Sequence, residues 1–266
     1  AIAGGSTTIC SDGSHTVQNT EAYNGTMMWN HDGNGSLNNP LTVAPTYIPS
    51  AADQGSLVTL TMAVQSNNSC GSSNIDTAYY YINVDSLPVA TAGGNTTICS
   101  NGNHEVIGAS ASNGSVLWTH DGSGYLYNST LLNPIYVADN ADAGNTVTLT
   151  LTVTSQNTCS PQTDIATYTI DVDSLPIANA GGHADICSNG THTLTGTSSE
   201  NGNINWTHDG NGVLTNINSL NPTYTPVPAD AGNTVTLTMN VTSNNTCNPQ
   251  LDTDTYTIDV SPLPVS

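Results

Sequence analysis

A unit of about 88 residues is repeated three times in this chain of 266 residues. Each copy opens with Ile-Cys-Ser, at Ile9, Ile98 and Ile186, and leads to a tryptophan that is followed by a His-Asp-Gly sequence. The copies align almost without gaps, apart from one extra residue between Cys70 and Asp76 in the first. Self-similarity at a fixed period is typical of arrays in which each repeat folds as one unit. The repeat predicts three domains, here called unit 1, unit 2 and unit 3, at residues 1–89, 90–177 and 178–266.

Each unit is predicted to consist of β-strands. From Thr146 to Ser155, threonine alternates with valine or leucine, which is the period-two pattern of a half-buried strand. A second strong strand covers residues 167–172, and shorter ones precede both. Six or seven short strands separated by Gly, Asn, Asp and Pro indicate a β-sandwich. The two strong strands are expected in the other units at 58–64, 80–84, 235–241 and 255–260, and the shorter ones in unit 2 at 97–99, 104–109, 116–120, 125–127 and 135–138.

The tryptophan of each unit lies on the third predicted strand, at Trp29, Trp118 or Trp206. With one cysteine before it and one after the long strand, it resembles the Cys, Trp, Cys order of immunoglobulin-like domains. The joints between units, Asp85-Ser-Leu-Pro88 and Asp173-Ser-Leu-Pro176, are short and stiffened by proline. The predicted fold is therefore all-β, with three tandem immunoglobulin-like sandwiches in an extended, semi-rigid rod.

The six cysteines occur two per unit and always 60 residues apart. This spacing favours one disulfide within each unit over a metal cluster, whose ligands come in closely spaced pairs. Each bridge would stabilise its unit by about 4 kcal/mol, and would indicate an oxidising compartment. A bridge between neighbouring units remains an alternative, because six cysteines allow about 15 pairings. The cysteines are Cys10, Cys70, Cys99, Cys159, Cys187 and Cys247.

The chain contains no lysine and no arginine against 20 acidic residues, so its net charge is -20. A polyanion repels phosphate backbones and anionic headgroups, which excludes nucleic acid and membrane surfaces as partners and favours divalent cations. The sequence has no apolar run of membrane-spanning length. Ser266 occupies the phase at which a further unit would begin, so we expect the array to continue beyond both ends.

Three passages resemble a known repeat class. Trp118-Thr-His-Asp-Gly-Ser-Gly124, Asn221-Pro-Thr-Tyr-Thr-Pro226 and Asp230-Ala-Gly232 occur in the order found in PKD-like repeats, and the similarity covers each whole unit. Such repeats occur in tandem in giant surface adhesins of Bacteroidota, including gliding-motility adhesins exported by the type IX system. The resemblance implies an extracellular or cell-surface fibre, with no catalytic residues to carry over.

Calcium is the cofactor that the acidic residues suggest. The His-Asp-Gly turns place an aspartate where a partial calcium loop would have one, although Asp-Gly is also a strong signal for a tight hairpin turn, which we favour. A second set of aspartates precedes the long strand and could bind calcium between units together with Asp85, Asp171 and Asp173, or else cap a turn. The turn aspartates are Asp32, Asp121 and Asp209, and the second set is Asp53, Asp142 and Asp230.

Catalysis is not predicted. His15, His104 and His192 recur one per unit before the second strand, where a packed or hydrogen-bonded strand residue is the commoner role than a ligand. No nucleophile elbow and no carboxylate pair in a cleft pattern recurs in the units. We therefore expect a protein that is not an enzyme.

Glycosylation is expected, because the sequence holds ten Asn-x-Ser/Thr sequons and three matches to the Bacteroidota O-glycosylation pattern. Sugars at the joints would shield strand edges that lysine normally protects. The O-linked candidates are Ser86, Ser174 and Thr77. The N-linked candidates are Asn24, Asn34, Asn67, Asn95, Asn113, Asn128, Asn189, Asn205, Asn240 and Asn244.

The leading functional hypothesis is a structural protein, the repeat segment of a surface fibre, filament or adhesin stalk that self-associates or continues as a longer array. Residues 2–10 could add to a neighbouring sheet by β-augmentation. The alternative is an array of glycan-binding or cell-adhesion modules that use exposed aromatics such as Tyr125 and Tyr127. Their counterparts in unit 3 are Val213 and Thr215, and strand packing is their ordinary role.

Overall fold

The computed structural model describes residues 1–69, 71 and 73–264. Strands and turns account for this part of the chain, together with three short 3₁₀ helices at Ala51–Asp53, Asn140–Asp142 and Pro228–Asp230. None of its helices is long and apolar enough to cross a membrane. Twenty-five strands, β1 to β25 in chain order, form the sheets.

Unit 1 contains two sheets that enclose one core. A four-stranded sheet has the order β1-β7-β6-β3, and a three-stranded sheet has the order β2-β5-β4. Residues of both sheets meet in a single buried cluster around Trp29, Tyr47 and Leu60. The strands are β1 Ser6–Cys10, β2 His15–Thr16, β3 Gly25–His31, β4 Ser36–Asn38, β5 Thr46–Ile48, β6 Leu57–Ser66 and β7 Ile75–Asp85.

Unit 2 and unit 3 repeat this architecture and add a two-stranded sheet each. In unit 2 the strands are β8 Val89–Thr91, β9 Asn95–Cys99, β10 Asn103–Glu105, β11 Ser110–Ser112, β12 Gly114–His120, β13 Tyr125–Tyr127, β14 Ile135–Val137, β15 Thr146–Ser155 and β16 Thr163–Asp173. In unit 3 they are β17 Ile177–Asn179, β18 His183–Cys187, β19 His192–Thr193, β20 Ser198–Glu200, β21 Gly202–His208, β22 Val213–Thr215, β23 Thr223–Thr225, β24 Thr234–Ser243 and β25 Leu251–Ser261.

The strongest sequence pattern forms the strand it predicts. In β15 the side chains of Val147, Leu149, Leu151 and Val153 are at most 2% exposed, while the intervening threonines are less buried. Burying one such side chain contributes about 1.5–3 kcal/mol relative to leaving it exposed, so the alternation fixes which face of the strand meets the core. The buried tryptophan predicted for each unit is confirmed at Trp29, Trp118 and Trp206.

Each unit closes its own core. The buried residues form three separate clusters, one centred on each tryptophan, and each cluster draws on both sheets of its unit. This confirms the all-β class with tandem sandwiches. Val89 pairs with Ser112, and Ile177 pairs with Glu200, so each joint leads directly into the first strand of the next unit. The unit boundaries themselves stay a prediction.

The strand that carries Ile-Cys-Ser is parallel to the last strand of its own unit. In unit 1, β1 pairs with the end of β7, from Ser6 opposite Tyr81 to Cys10 opposite Asp85. β1 is the edge strand of the order β1-β7-β6-β3 and is paired on one side only, so the hypothesis that residues 2–10 add to a neighbouring sheet stays a prediction. The pairing has a further consequence, since it brings Cys10 to the joint.

Candidate functional site at the joints between units

Among the residues that the structure describes there are two disulfides, and both cross a joint. Cys10 of unit 1 is bonded to Cys159 of unit 2, and Cys99 of unit 2 is bonded to Cys247 of unit 3. The Cα atoms of each pair are 4.7 Å apart. Cys187 is free and exposed, and Cys70 lies outside the described residues. The prediction of one disulfide within each unit is therefore wrong for the four bonded cysteines.

Strand length explains why a bond within a unit does not form. In unit 2, Cys99 is opposite Asp173 at the end of β16, whereas Cys159 lies in the loop that precedes the start of the same strand at Thr163. An eleven-residue strand at about 3.3 Å per residue separates them by roughly 30 Å. Disulfide-bonded Cα atoms lie within about 7 Å, so each cysteine is too far from its partner in the same unit and meets one in the neighbouring unit.

A network of hydrogen bonds surrounds the first of these disulfides. The Asp85 carboxylate accepts hydrogen bonds from the backbone N–H and the hydroxyl of Thr158, at 3.0 and 2.7 Å. Asn157 Nδ2 donates to the Ser86 carbonyl oxygen at 3.0 Å, and Asn113 Nδ2 donates to that of Leu87 at 2.9 Å. Successive backbone positions of the joint are thus bound by the next unit.

The second joint repeats the first. Asp173 accepts from the backbone N–H and hydroxyl of Thr246 at 2.9 and 2.6 Å. Asn245 Nδ2 donates to the Ser174 carbonyl oxygen at 2.9 Å, and Asn201 Nδ2 donates to that of Leu175 at 3.0 Å. Hydrogen bonds to a carboxylate are about twice as strong as neutral ones, and the same set occurs twice. The joint is therefore an ordered, hydrogen-bonded interface rather than a flexible linker.

The loop that docks at a joint is held in shape by its own side chains. Ser155 Oγ lies 2.7 Å from Asn157 Oδ1, and this oxygen also accepts from the backbone N–H of Cys159 at 2.9 Å. The corresponding distances at Ser243, Asn245 and Cys247 are 2.6 and 2.9 Å. The sequence Ser-x-Asn-Thr-Cys therefore holds its cysteine in position at the joint through hydrogen bonds within the loop.

Each unit also contains a buried aspartate at a corner beside the His-Asp-Gly turn. Asp142 accepts hydrogen bonds from the Tyr136 hydroxyl and the Ser123 backbone N–H, both at 2.7 Å, and from the Asp139 backbone N–H at 3.0 Å. Asp53 and Asp230 make the same contacts in their units. The predicted turn-capping role of these three residues is the one that the structure displays.

These contacts perturb the ionisation of both partners. Burial opposes the charge of Asp53, but hydrogen bonds from the backbone N–H groups of Ser50 and Asn34 and from Tyr47 outweigh it and lower its pKa to about 2. The pKa of Asp230 is lowered to about 2 for the same reasons. Burial and the neighbouring carboxylate raise the pKa of Tyr47 to about 12. The pair is thus an ionised carboxylate held by a neutral phenol.

The two glycines of each turn allow the chain to approach this corner. A Cβ atom at Gly122 would lie 2.2 Å from the Tyr136 hydroxyl oxygen, and one at Gly124 would lie 2.1 Å from the Val137 carbonyl oxygen. Both distances are far inside van der Waals contact. The Gly-x-Gly of the turn is therefore required by packing, which supports the structural interpretation of the turn.

The turn aspartates make a different contact. Asp32, Asp121 and Asp209 are exposed, and in each the Oδ1 atom accepts from a backbone N–H of the long strand at 2.7 Å. Within the described part of the chain, three-residue groups close enough to share an ion are Cys10 with Asp12 and Cys159, and His183 with Asp185 and Asp259. Neither group includes an aspartate that the sequence suggested for metal binding.

The joint aspartates are likewise bound by protein donors. Asp85 and Asp173 accept from Thr158 and Thr246 across the joints, and Asp171 accepts from the Thr146 hydroxyl at 2.5 Å. The structure therefore places them in networks separate from the buried corner aspartates. Calcium binding at any of these positions stays a prediction.

The repeated histidines pack against tyrosines. His15, His104 and His192 stack on Tyr80, Tyr168 and Tyr256 at ring distances of 5.3–5.6 Å. Burial lowers the pKa of all three, which keeps them neutral near pH 7. The predicted packing role of these strand residues is confirmed.

The modification candidates lie mostly on the surface. Nine of the ten sequon asparagines are exposed, and Asn240 is half-buried. Two of the exposed ones already use their amides, since Asn34 donates to Asp53 and Asn113 donates to Leu87. Ser86 and Ser174 are half-buried at the joints, and Thr77 is exposed. Glycosylation at these positions stays a prediction.

Comparisons with known proteins show the fold and no family. No protein-family model and no curated protein matches the sequence. Among solved structures, mouse cadherin-23 EC22-24 is similar with a TM-score of 0.52 at 11% identity, covering 98% of this chain and 97% of that one. Human CDH23 EC21-23 is similar with a TM-score of 0.50 at 12% identity, covering 96% and 97%. The chain therefore has the fold of three consecutive β-sandwich domains of the cadherin and immunoglobulin-like type.

Proposed function

We propose that this chain is a non-enzymatic extracellular structural protein, the repeat segment of a cell-surface fibre, filament or adhesin stalk. The observation that carries the proposal is the position of the disulfides, each of which links one unit to the next. A disulfide inside a domain stabilises that domain alone. A disulfide across a joint, combined with the Asp85 or Asp173 network, restricts the orientation of neighbouring units, which is what a load-bearing array requires.

Other features agree with an extracellular location. Disulfides form and persist in oxidising compartments, and the solved structures that resemble the chain are arrays of cadherin domains. The resemblance of the repeats to PKD-like repeats suggests a large surface adhesin of the Bacteroidota type. The charge of -20 favours a solvated surface that does not adhere to nucleic acid or to anionic membranes.

Small-angle X-ray scattering on the full chain tests the mechanical part of this proposal. The comparison is between the oxidised chain and the double variant Cys10→Ser/Cys99→Ser, which removes both joint disulfides and leaves the cores untouched. We expect an extended particle with one narrow distribution of interatomic distances for the oxidised chain, and a broader distribution for the variant. Cys187→Ser is the matched control and should scatter like the unmodified chain. A compact oxidised particle, or identical distributions for all three proteins, contradicts the proposal.

Electron microscopy of native material tests the assembled form. If the chain is part of a fibre or stalk, negative-stain images should show beaded filaments whose repeat matches the length of one unit. Isolated compact particles would contradict this part of the proposal.

A second candidate function is glycan binding by unit 2. Tyr125 and Tyr127 are 73% and 57% exposed on β13, so strand packing does not explain them. Exposed aromatic rings on a sheet are suited to stacking on sugar faces. Unit 3 has Val213 and Thr215 at these positions, so the site would belong to unit 2 alone. A glycan array comparing the chain with the double variant Tyr125→Val/Tyr127→Thr tests it, and equal signals would exclude these tyrosines.

A further inference from the structure

Three side chains that are suited to binding a transition metal meet on the outer face of unit 3. His183 and Asp185 lie two residues apart on β18, and Asp259 lies opposite Asp185 on β25. Alternate residues of a strand point to the same face of a sheet, and Ala184 between the two ligands packs against the core on the other face. One nitrogen of His183 and one carboxylate oxygen of each aspartate therefore lie within 4.8 Å of one another.

The distances between these atoms suit a shared ion better than hydrogen bonds. His183 Nε2 is 3.6 Å from Asp185 Oδ2 and 3.7 Å from Asp259 Oδ2, which is beyond the about 2.7–3.2 Å of a hydrogen bond between nitrogen and oxygen. Two ligand atoms that each lie about 2.0–2.1 Å from a tetrahedral Zn²⁺ are separated by about 3.4 Å. A cation bound by all three atoms also offsets the repulsion between the two carboxylates.

Threonine hydroxyls hold two of the three ligands in place. His183 Nδ1 lies 3.1 Å from Thr257 Oγ1, and an Nδ1–H that donates to this hydroxyl leaves the lone pair on Nε2, the nitrogen that faces the carboxylates. Thr234 donates its hydroxyl to Asp259 Oδ1, so Oδ2 is the oxygen that remains for an ion. Partners of this kind fix the tautomer and the orientation of metal ligands.

The ligand set selects a transition metal over calcium. An imidazole nitrogen suits Zn²⁺, Cu²⁺ and Ni²⁺, whereas Ca²⁺ takes about six to eight oxygen ligands. Three protein ligands are the number found at Zn²⁺ sites whose fourth position is filled by water. This site is therefore chemically different from the calcium positions that the sequence suggests, which consist of carboxylates alone.

Unit 2 shares the frame of this site and lacks two of its ligands. It has Asn95 and Thr97 where unit 3 has His183 and Asp185, while Asp171 takes the third position and accepts a hydrogen bond from a threonine hydroxyl as in unit 3. These three residues of unit 2 are exposed although unit 3 is joined to unit 2. The accessibility of the site therefore belongs to this face of the sheet and does not depend on where the chain ends.

We propose that His183, Asp185 and Asp259 bind one Zn²⁺ ion on the surface of unit 3. β18 is the edge strand of its sheet and pairs only with β25, so the ion links the edge strand to its one neighbour. A ligand that binds only the folded state stabilises that state by mass action. Zn²⁺ therefore stabilises unit 3, and it does so whether or not the chain forms a fibre.

Calorimetric titration of the oxidised full chain with Zn²⁺, in a buffer that contains excess Ca²⁺, tests the site. We expect one tightly bound ion per chain. The double variant His183→Asn/Asp185→Thr gives unit 3 the residues that unit 2 has at these positions, and it should weaken Zn²⁺ binding by about a hundredfold or more, since losing only the hydrogen-bonded partner of a ligand costs about 10–100-fold. Thr257→Val, which removes such a partner, should weaken binding by about tenfold.

Transplanting the site gives an independent test. The double variant Asn95→His/Thr97→Asp supplies the two missing ligands beside Asp171, and the chain should then bind two Zn²⁺ ions. This result does not depend on the stability of any variant that has lost ligands. A chain that still binds a single ion would show that these three positions do not form a Zn²⁺ site, and would overturn the proposal.

The free thiol of Cys187, two residues beyond Asp185, requires a control. Cys187→Ser should bind Zn²⁺ with unchanged affinity, and loss of binding would assign the ion to the thiol instead. Zn²⁺ should also raise the melting temperature of the unmodified chain and leave that of His183→Asn/Asp185→Thr unchanged. Mass spectrometry without reductant should find both joint disulfides in every variant, which shows that the fold is intact.

The remaining outcomes also decide the question. Zn²⁺ binding that excess Ca²⁺ abolishes would assign the ion to the acidic surface in general. Equal affinity in the unmodified chain and in His183→Asn/Asp185→Thr, or no binding by the unmodified chain, would overturn the proposal. None of these results bears on the joint disulfides, so the proposed structural function would stand.

Discussion

Replacing Cys159 by serine is the perturbation that separates the disulfide pairing in the structure from the pairing expected from the sequence. Under the structural pairing, Cys159→Ser releases Cys10 of unit 1 and leaves Cys99 bonded to Cys247. Under pairing within units, the same substitution would release Cys99 and leave Cys10 bonded. The identity of the new free thiol therefore distinguishes the two arrangements in one experiment.

The loss of stability can be worked out from the position of the bond. When unit 2 unfolds beside a folded unit 1, the disulfide and the joint together close a loop from Asp85 to Cys159, a separation of 74 residues. The chain-entropy relation gives about 4 kcal/mol for a loop of this length. A bond within the unit would close a loop of 60 residues, for which the same relation also gives about 4 kcal/mol. The size of the destabilisation therefore does not distinguish pairing between units from pairing within units. A variant that lost no stability would contradict both.

The assay combines thiol mapping with denaturation. The variant is alkylated in denaturant without reductant, cleaved at aspartate because the chain offers trypsin no site, and analysed by mass spectrometry. We expect label on Cys10 and none on Cys99, together with a melting temperature of the weakest transition lower by about 15 °C or more, since 1 kcal/mol corresponds to about 4–8 °C in a domain of this size. Cys187→Ser, the control, should leave the melting temperature and the other thiols unchanged. Label on Cys99, or a loss of stability below about 1 kcal/mol, would refute the reasoning.

Three further predictions concern the units and their surroundings. Because the folded pKa of Asp53 and Asp230 is about 2, below the unfolded value, each contributes about 2 kcal/mol that is present above pH 4 and is lost as the pH falls towards 2; urea midpoints that stay constant across this window would contradict it. Gly122→Ala should destabilise unit 2 by about 2 kcal/mol or more, because its Cβ would meet the Tyr136 hydroxyl. Gly182→Ala, where a Cβ meets nothing within 4 Å, should change the free energy of unfolding measured in urea by less than about 0.5 kcal/mol. If calcium binds at the acidic positions, it should raise the melting temperature and a chelator should reverse the rise, whereas an unchanged melting temperature would exclude a stabilising calcium site.

The strands could be predicted from the sequence because their signal is local. The alternation in Thr146–Ser155 gives that strand within its observed bounds, and the tandem copies extend the prediction to the other units. The sequence predicts the strand that carries Ile-Cys-Ser, but it does not predict that this strand pairs with the last strand of its unit. Parallel pairing of Asn95–Cys99 with Thr163–Asp173 joins residues that are 74 positions apart, and no local pattern reports such a pairing.

The error in the disulfides follows from that missing pairing. A constant spacing of 60 residues indicates that the two cysteines of a unit occupy equivalent places in each copy, and it says nothing about their distance in space. Once Cys99 is known to lie at the end of β16, the Cys159 loop before the start of that strand is excluded by length alone. The alternative of bridges between units, which the sequence left open, then becomes the only one that the geometry permits for these cysteines.

The tyrosine of the buried corner was also missed, although a signal for it exists. Tyr47, Tyr136 and Tyr224 each precede the corner aspartate by six residues and donate a hydrogen bond to it. A repeated tyrosine and aspartate at this spacing, beside a Gly-x-Gly turn, is a pattern that could be sought in other tandem repeats. Without this tyrosine, the role of the turn could not be inferred from the sequence. The turn requires glycines because the tyrosine occupies the space that a Cβ atom would need.

The absence of lysine and arginine determines how this chain can hold its units together. Without cationic side chains, a carboxylate at an interface has to be satisfied by N–H and O–H donors, and both joint aspartates are bound in this way by a threonine. Such contacts are neutral on one side, so they do not offset the repulsion between units that each carry several negative charges. A covalent bond holds the joint irrespective of that repulsion and of ionic strength. The disulfide across the joint is thus the cross-link that an all-anionic array needs most, and it leaves the individual cores to be stabilised by packing.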